Sequence, residues 1–247
     1  MRTVLALYPL GNIMKPLDKN TLLSTHYLFR DLERSTLARV ASLGSTRRLG
    51  DGEVLFLKGD PGDALYGVLS GKVSISTSAP NGKELILSIV EAGGVFGEIA
   101  LLDGKPRSAD ATAMDATTLF VLSRADFTRF LSGEPKLAVH FLEMVCDRLR
   151  TTNDLIEDAA FLALPARLAK RLLSFCHSSV DLAGGATTEI RISQAEIGQL
   201  LATSRETVNR LLQEWREHGW VSLGRGRLTI HDHRALEKIV TTAVDED

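Results

Sequence analysis

The sequence predicts an α+β chain, with an N-terminal β-roll of jelly-roll type, a long α-helix and a C-terminal winged helix-turn-helix. Short β-prone runs from Thr46 to Leu122, an apolar stripe of helical period after Pro135, and two closely joined capped helices after Ser193 predict it. At 247 residues with 44% apolar side chains, the chain is long enough for two domains and too apolar for a disordered one. Its 29 basic and 31 acidic side chains give a net charge of -2, which neither advertises nor excludes a local nucleic-acid surface.

The β-prone runs include Val54-Leu55-Phe56-Leu57, Val73-Ser74-Ile75-Ser76 and Leu85-Ile86-Leu87. Between them stand turn residues: Gly59-Asp60-Pro61-Gly62-Asp63, Ser70-Gly71, Pro80-Asn81-Gly82 and Gly93-Gly94. Strands at this spacing build a compact barrel or roll, and Asn81-Gly82 is the strongest hairpin signal among them.

After Ser123, placed with Asp126 like an N-cap and its partner, the pattern becomes helical, and a long helix is expected from about Pro135 to beyond Glu157. Phe141, Val145, Leu149, Thr152 and Ile156 follow at spacings of four, four, three and four, an apolar seam on one face. Such a seam packs either on its own β-roll or against a second copy of itself; its length and the polar Thr152 within it favour a two-helix dimer contact. Ala163-Leu164-Pro165 interrupts the helix, and another, Ala166 to Cys176, opens a second domain. The expected divisions are residues 1–134 for arm and β-roll, 135–162 for the dimer helix and hinge, and 163–247 for the second domain. Ser178 to Thr188, rich in Ser, Gly, Ala and Thr, reads as a loop within that domain.

Ser193 to Leu201 opens with an S-x-x-E capping box, Ser193 capping a short helix and Glu196 reaching back. After a turn at Ala202-Thr203 comes Ser204 to Leu212, with Thr203 and Glu206 spaced as a second capping box. Two short helices so closely joined fit a helix-turn-helix. On the second, Val208, Leu211 and Leu212 are expected to face the core while Arg205, Glu206, Asn209 and Arg210 project outward. Arginine donates twice to guanine O6 and N7, glutamate accepts from cytosine N4, and Ser204 and Thr207 at the helix start can meet phosphate. Beyond Trp215 and Gly219-Trp220, Val221 to Ile230 alternates around Gly224-Arg225-Gly226-Arg227, as expected of a β-wing whose tip lies beside the DNA backbone. From Gln199 to Arg227, five arginines against three glutamates leave a local +2. The candidate DNA contacts are therefore Ser193, Ser204, Arg205, Glu206, Thr207, Asn209, Arg210, Arg225 and Arg227.

In the first domain, Val95 to Asp110 carries the most chemistry. Backbone N–H groups of the turn after Gly97 (Glu98, Ile99, Ala100), the Arg107 guanidinium and the Ser108 hydroxyl could together satisfy a phosphate. Glu98 suits such a site when the ligand is a ribose 3',5'-cyclic phosphate, whose free 2'-hydroxyl donates to a carboxylate. An incidental surface arginine is the competing reading of these residues alone.

Gly97-Glu98-Ile99-Ala100-Leu101 with Pro106-Arg107-Ser108-Ala109, Ala160-Phe161-Leu162, and Gln194 to Arg210 together resemble the cyclic-AMP receptor protein and fumarate-nitrate regulator superfamily, from about Leu28 to Ile230. The resemblance implies a cyclic-nucleotide-responsive homodimeric transcription regulator in which the nucleotide allosterically controls binding to a palindrome of double-stranded DNA. It also implies RNA polymerase as a partner and a half-site similar to TGTGA. It implies further that Gly97, Glu98, Arg107 and Ser108 hold the ribose phosphate, with Ile75, Leu87 and Ala109 near the base. Arg148 and Thr152 of the dimer helix would close the pocket, Thr152 reaching the purine. Where the cyclic-AMP receptor has a serine after that threonine, this chain has Asn153, whose amide presents both donor and acceptor, so cyclic AMP and cyclic GMP both remain candidates.

A regulator of the same fold that is active without nucleotide, or answers another effector, is the competing expectation. An enzyme is not expected, because no nucleophile with a base and no metal-binding His and Asp cluster is visible. No prosthetic group is expected either: the family's oxygen-sensing cysteine cluster is absent, and His26, His140 and His177 read as isolated core or surface residues. Cys146 and Cys176 are far apart and read as buried thiols without a disulfide. The opening Met1 to Tyr8 is interrupted by Pro9, Gly11 and Lys15 too early for a signal peptide or membrane span, from which cytoplasmic residence is expected.

Overall fold

The computed structural model describes residues 16–29, 32–177 and 187–245. The first fifteen residues, and the loop expected from Ser178 up to residue 186, lie outside them. The chain forms two compact units, one holding the described residues up to 77 with 87–149, the other holding 78–86 and the described residues from 150 onward.

The first unit opens with α1 (Lys19–Thr25), capped by Asp18, and α2 (Arg34–Leu43). Eight strands follow: β1 (Ser45–Leu49), β2 (Val54–Phe56), β3 (Ala64–Ser70), β4 (Lys72–Ser78), β5 (Glu84–Glu91), β6 (Val95–Phe96), β7 (Asp110–Ala113) and β8 (Thr117–Ser123), with the short α3 (Glu98–Asp103) between β6 and β7. They form two four-stranded sheets, ordered β1-β8-β3-β6 and β2-β7-β4-β5. Gly82 sits in the expected hairpin turn at φ 79°, with Ala79 N donating to Lys83 O at 2.8 Å.

The period-2 geometry of a strand explains why β3 is buried along nearly its whole length. Ala64, Tyr66 and Val68 join Val73, Phe96, Ala111 and Leu119 inside the roll. Leu65 and Leu69 face the other way, into a layer with Leu22, Leu37, Phe120, Phe127 and Leu137 from β8 and the surrounding helices. Gly67 lies where that layer is tightest: a Cβ there would come within 2.5 Å of the Leu22 side chain.

Ser123 caps α4 (Arg124–Gly133), its hydroxyl accepting from Asp126 N at 3.2 Å, and α5 (Pro135–Phe161) follows. Phe141, expected in the intermolecular seam, is instead buried in the roll's own helix layer, edge-on to Phe127 with centroids 4.7 Å apart. Leu137, Phe141 and Met144 form the i, i+4, i+7 face that anchors α5. The stripe left exposed is Leu142, Val145, Leu149 and Ile156, at 67%, 37%, 61% and 62%. Cys146, expected to be buried, is exposed because α5 turns it away from the anchoring face, and Cys176 is half-buried.

In the second unit, α6 (Leu164–His177) leads through β9 (Thr188–Ile190) to α7 (Gln194–Leu200) and α8 (Arg205–Glu217). The hairpin β10 (Val221–Gly224) and β11 (Arg227–Ile230) and the terminal α9 (His233–Asp245) complete it. The three strands order as β10-β11-β9, and Leu168, Leu172, Ile197, Val208, Leu212, Trp215, Ile230 and Leu236 are among the buried core. Among the described residues, no helix is long and apolar enough to cross a membrane.

Candidate functional site

A shallow hollow, partly open to solvent, lies in the first unit where β6 gives way to α3. It is lined by Ile75, Gly97, Glu98, Ile99, Ala100, Arg107, Ser108, Ala109 and Arg148, all read as candidates from the sequence, together with Phe56 and Phe96. Neither aromatic was a candidate from the sequence: Phe56 stood in a β-prone run and Phe96 beside Gly97 in the Val95 to Asp110 segment. Leu87 is not part of the lining, standing on β5 at 38% exposure. Thr152 and Asn153 are exposed on α5 in the second unit.

Gly97 makes the corner. Its φ of 83° lies in the left-handed region, and a Cβ would stand 2.9 Å from Arg107 Nη1 and 3.2 Å from the Tyr66 ring, so both backbone conformation and space require glycine. Arg107 is held by its backbone to the preceding turn, its N donating to Asp60 O at 2.8 Å. Its side chain, only 2% exposed, donates from Nη1 to Gly97 O and from Nη2 to Ala64 O, both at 2.9 Å. The guanidinium lies 4.3 Å from the Phe56 ring centroid and 3.6 Å from Asp63 Oδ1, and Nε has no partner. A guanidinium carries five N–H donors, so this anchoring leaves others for an anion.

Glu98 has no exposed surface, and neither carboxylate oxygen has a hydrogen-bond partner. Arg148 Nη1 stands 3.0 Å from Oε1, close enough for ion pairing but not aligned as a hydrogen bond. The ion pair with Arg148 offsets part of the cost of burying the carboxylate, and with no aligned hydrogen-bond donor Glu98 keeps acceptor capacity toward whatever enters the hollow. Ser108 is exposed at its rim and Ala109 is buried beneath it.

The helix-turn-helix is built by its caps. Ser193 and Glu196 form the expected reciprocal box on α7. The second box is not Thr203 with Glu206: Ser204 caps α8, accepting from Thr207 N at 3.2 Å. The turn explains the one-residue shift, since Ala202 takes φ 53° and Thr203 N donates back to Gly198 O at 2.9 Å, delaying the helix start. Val208 and Leu212 are fully buried while Leu211 is only partly so; Arg205, Glu206 and Arg210 are exposed, Asn209 and Thr207 partly. Hydrogen bonds from its own backbone N–H and from the Ser204 hydroxyl hold the Glu206 carboxyl below its usual pKa, keeping it an acceptor.

The β10–β11 hairpin pairs Gly224 with Arg227 across a two-residue tip of Arg225 and Gly226, Gly226 at φ 68°. Arg227 Nη1 lies 3.7 Å from Glu189 Oε2. Ser193, Arg205, Arg225 and Arg227 border one open hollow between the head of α7, α8 and the hairpin, a shared basic rim. Asn209 and Arg210 are not part of that border.

Two family models match the chain: the cyclic nucleotide-binding domain over residues 46–134 and the Crp-like helix-turn-helix domain over residues 166–239. The fold and both sites thus define a DNA-binding regulator with a cyclic-nucleotide-binding domain. The CRP-like cAMP-activated global transcriptional regulator of Mycobacterium tuberculosis is 32% identical over 212 residues, 85% of this chain and 95% of that one. The cyclic AMP receptor protein of Thermus thermophilus is 33% identical over 212 residues, 86% and 95% of the two chains. FixK2 from Bradyrhizobium japonicum shares the fold at a TM-score of 0.72 and 20% identity, covering 79% of this chain and 96% of that one. The chain belongs to the cyclic-AMP receptor protein and fumarate-nitrate regulator superfamily of transcription regulators.

Proposed function

We propose that the protein is a homodimeric, cyclic-nucleotide-controlled transcription regulator that reads a palindrome with TGTGA-like half-sites and acts with RNA polymerase. The observation that carries the ligand reading is Glu98, a buried carboxylate lacking hydrogen-bond donors beside Arg107 and Ser108 in one hollow. A cyclic nucleotide supplies what these residues need: a phosphate for the guanidinium and the Ser108 hydroxyl, and a ribose 2'-hydroxyl to donate to Glu98. Ile75 and Ala109 would face the base, with Leu87 farther along β5.

Residues 1–134 would serve as arm and sensor, 135–162 as dimer helix and hinge, and 163–247 as the DNA reader. The exposed stripe on α5 supports pairing with a second copy, since Leu142, Leu149 and Ile156 recur every seven residues. In that dimer Thr152 and Asn153 would meet the purine, and a ligand touching roll and dimer helix together would bias the spacing of the two α8 helices. Two-fold symmetry calls for a palindrome, and half-sites one helical turn apart are expected.

Isothermal titration of nucleotide-stripped protein with cyclic AMP and cyclic GMP tests the reading. Binding at about one nucleotide per protomer, reduced by about 2–5 kcal/mol in Arg107→Ala, is expected. The tighter nucleotide names the purine. Binding of neither would leave the competing reading, DNA binding without nucleotide or under another effector, which the engagement of Arg107 with two backbone carbonyls favours.

A further inference from the structure

We propose that Arg167 is a positioning residue for DNA reading: from α6 its guanidinium fixes the turn that sets where α8 begins. The proposal rests on α8 being the DNA-reading helix. The last carbonyls of α7 have no partner within the helix. One of them, Leu201 O, accepts from Arg167 Nη2 at 2.8 Å, a charge-assisted bond at the negative end of the helix. The same peptide leads directly into Ala202 at φ 53°, the one non-glycine residue with positive φ among those described. An L-residue resists this conformation, so something outside the residue must hold it.

The exposed Ala202 side chain contributes no packing of its own; the buried Leu201 side chain anchors the residue before it, and the direction of the Leu201 carbonyl is left to hydrogen bonding. Space leaves the turn little choice of path: Thr203 N donates to Gly198 O at 2.9 Å, and a Cβ on Gly198 would come 3.0 Å from Thr203 O. Arg167 itself starts from a rigid base. Its neighbours Ala166, Leu168 and Ala169 are buried in the core of the unit, and its own N donates to Ala163 O at 3.1 Å. Ser204, the cap of α8, and Arg205 follow the clamped carbonyl by three and four residues, so tilting that peptide displaces both. Arg167 is not among the residues bordering the hollow shared by Arg205 and the β-hairpin, and the salt dependence of binding distinguishes positioning from contact.

The test uses full-length wild type, Arg167→Ala, Arg167→Lys and the double variant Arg167→Ala with Ala202→Gly, all with cyclic AMP and cyclic GMP in excess. Affinity is measured for the palindrome that wild type selects from a random duplex library, and for a scrambled duplex, across salt concentrations. Losing the clamp should weaken palindrome binding about tenfold, the scale of one charge-assisted bond, with scrambled binding and salt slope unchanged. Lysine should restore part of the loss, and Ala202→Gly most of it, because glycine takes the turn conformation unaided. If Arg167→Ala does not fold, Arg167→Lys is read by the same palindrome-to-scrambled ratio, expected to fall between wild type and full loss. An unchanged ratio overturns the proposal, as does a salt slope lowered by about one, which would make Arg167 a phosphate contact. Wild type that selects no palindrome overturns the DNA reading itself and the proposal with it.

Discussion

Arg148 Nη1 and Glu98 Oε1 stand 3.0 Å apart, a cation one-third exposed facing a carboxylate with no exposed surface. The pair joins α5 to the corner that follows β6, the place where a ligand in the hollow would meet both residues.

Removing the cation leaves the buried carboxylate unpaired, so Arg148→Ala should lower stability by about 2 kcal/mol, less than for a fully buried pair because Arg148 reaches solvent. Glu98→Gln removes the charge and should leave stability near wild type while weakening cyclic-nucleotide binding about tenfold. Denaturant midpoints and titration calorimetry on both variants check this. A Glu98→Gln protein that binds nucleotide as tightly as wild type would remove Glu98 from the ligand contacts.

Gly97→Ala places a methyl 2.9 Å from Arg107 Nη1 at a φ of 83°. The backbone cost alone is about 1–2 kcal/mol, and the displaced guanidinium should weaken nucleotide binding as well. Calorimetric titration and a thermal melt separate the two effects. A melt matching wild type would show that the corner can be reached by another backbone path.

Arg205 and Arg225 differ in where they stand: Arg205 opens α8, Arg225 tops the hairpin. Arg205→Ala should cost about 1–3 kcal/mol on the preferred palindrome and relax preference at one guanine. Arg225→Ala should weaken all duplexes alike and lower the salt slope by about one. Affinity against single-base variants and against salt distinguishes them. A uniform loss for Arg205→Ala would make it a phosphate contact.

His26, at the end of α1, links stability to pH. Burial first, then the charge of Arg148, holds its imidazole down to about 4 from 6.5. Nδ1 lies 3.3 Å from the donating Leu28 N–H, and the buried Nε2 has no partner. The folded state therefore binds the proton less well than the unfolded chain. Its contribution is complete above pH 6.5 and lost as pH falls from 6.5 toward about 4, in all about 3 kcal/mol. Urea midpoints across that window should fall less steeply for His26→Gln than for wild type. Parallel profiles would assign the acid loss to other groups.

Much of this molecule was legible in one dimension because the signals are local. The turn residues between the strands, the Ser193–Glu196 box and the spacing of Val208 and Leu212 act within a few residues, and the structure realises each of them. Gly97, Arg107 and Ser108 could be grouped because a single short segment carries them.

What the sequence by itself determined is the order of the main elements, a β-rich first part, a long amphipathic helix, and two capped helices followed by a hairpin; α1, α2 and α9 were not read from it, and Thr188, read as loop, begins β9. Only the tertiary structure decided which apolar residues of α5 serve the roll and which stay exposed. Phe141 and Leu142 are adjacent and equally apolar, yet packing against Phe127 buries the first and leaves the second at 67% exposure. It likewise decided that Ser204 rather than Thr203 begins α8, since the helix start depends on how the chain leaves Leu201, whose carbonyl is bound by an arginine 34 residues earlier. Burial of Glu98 without donors and the grip of Arg107 on Ala64 O and Gly97 O were equally hidden. Desolvation and hydrogen-bond satisfaction are set by what surrounds a group in space, and sequence spacing carries neither.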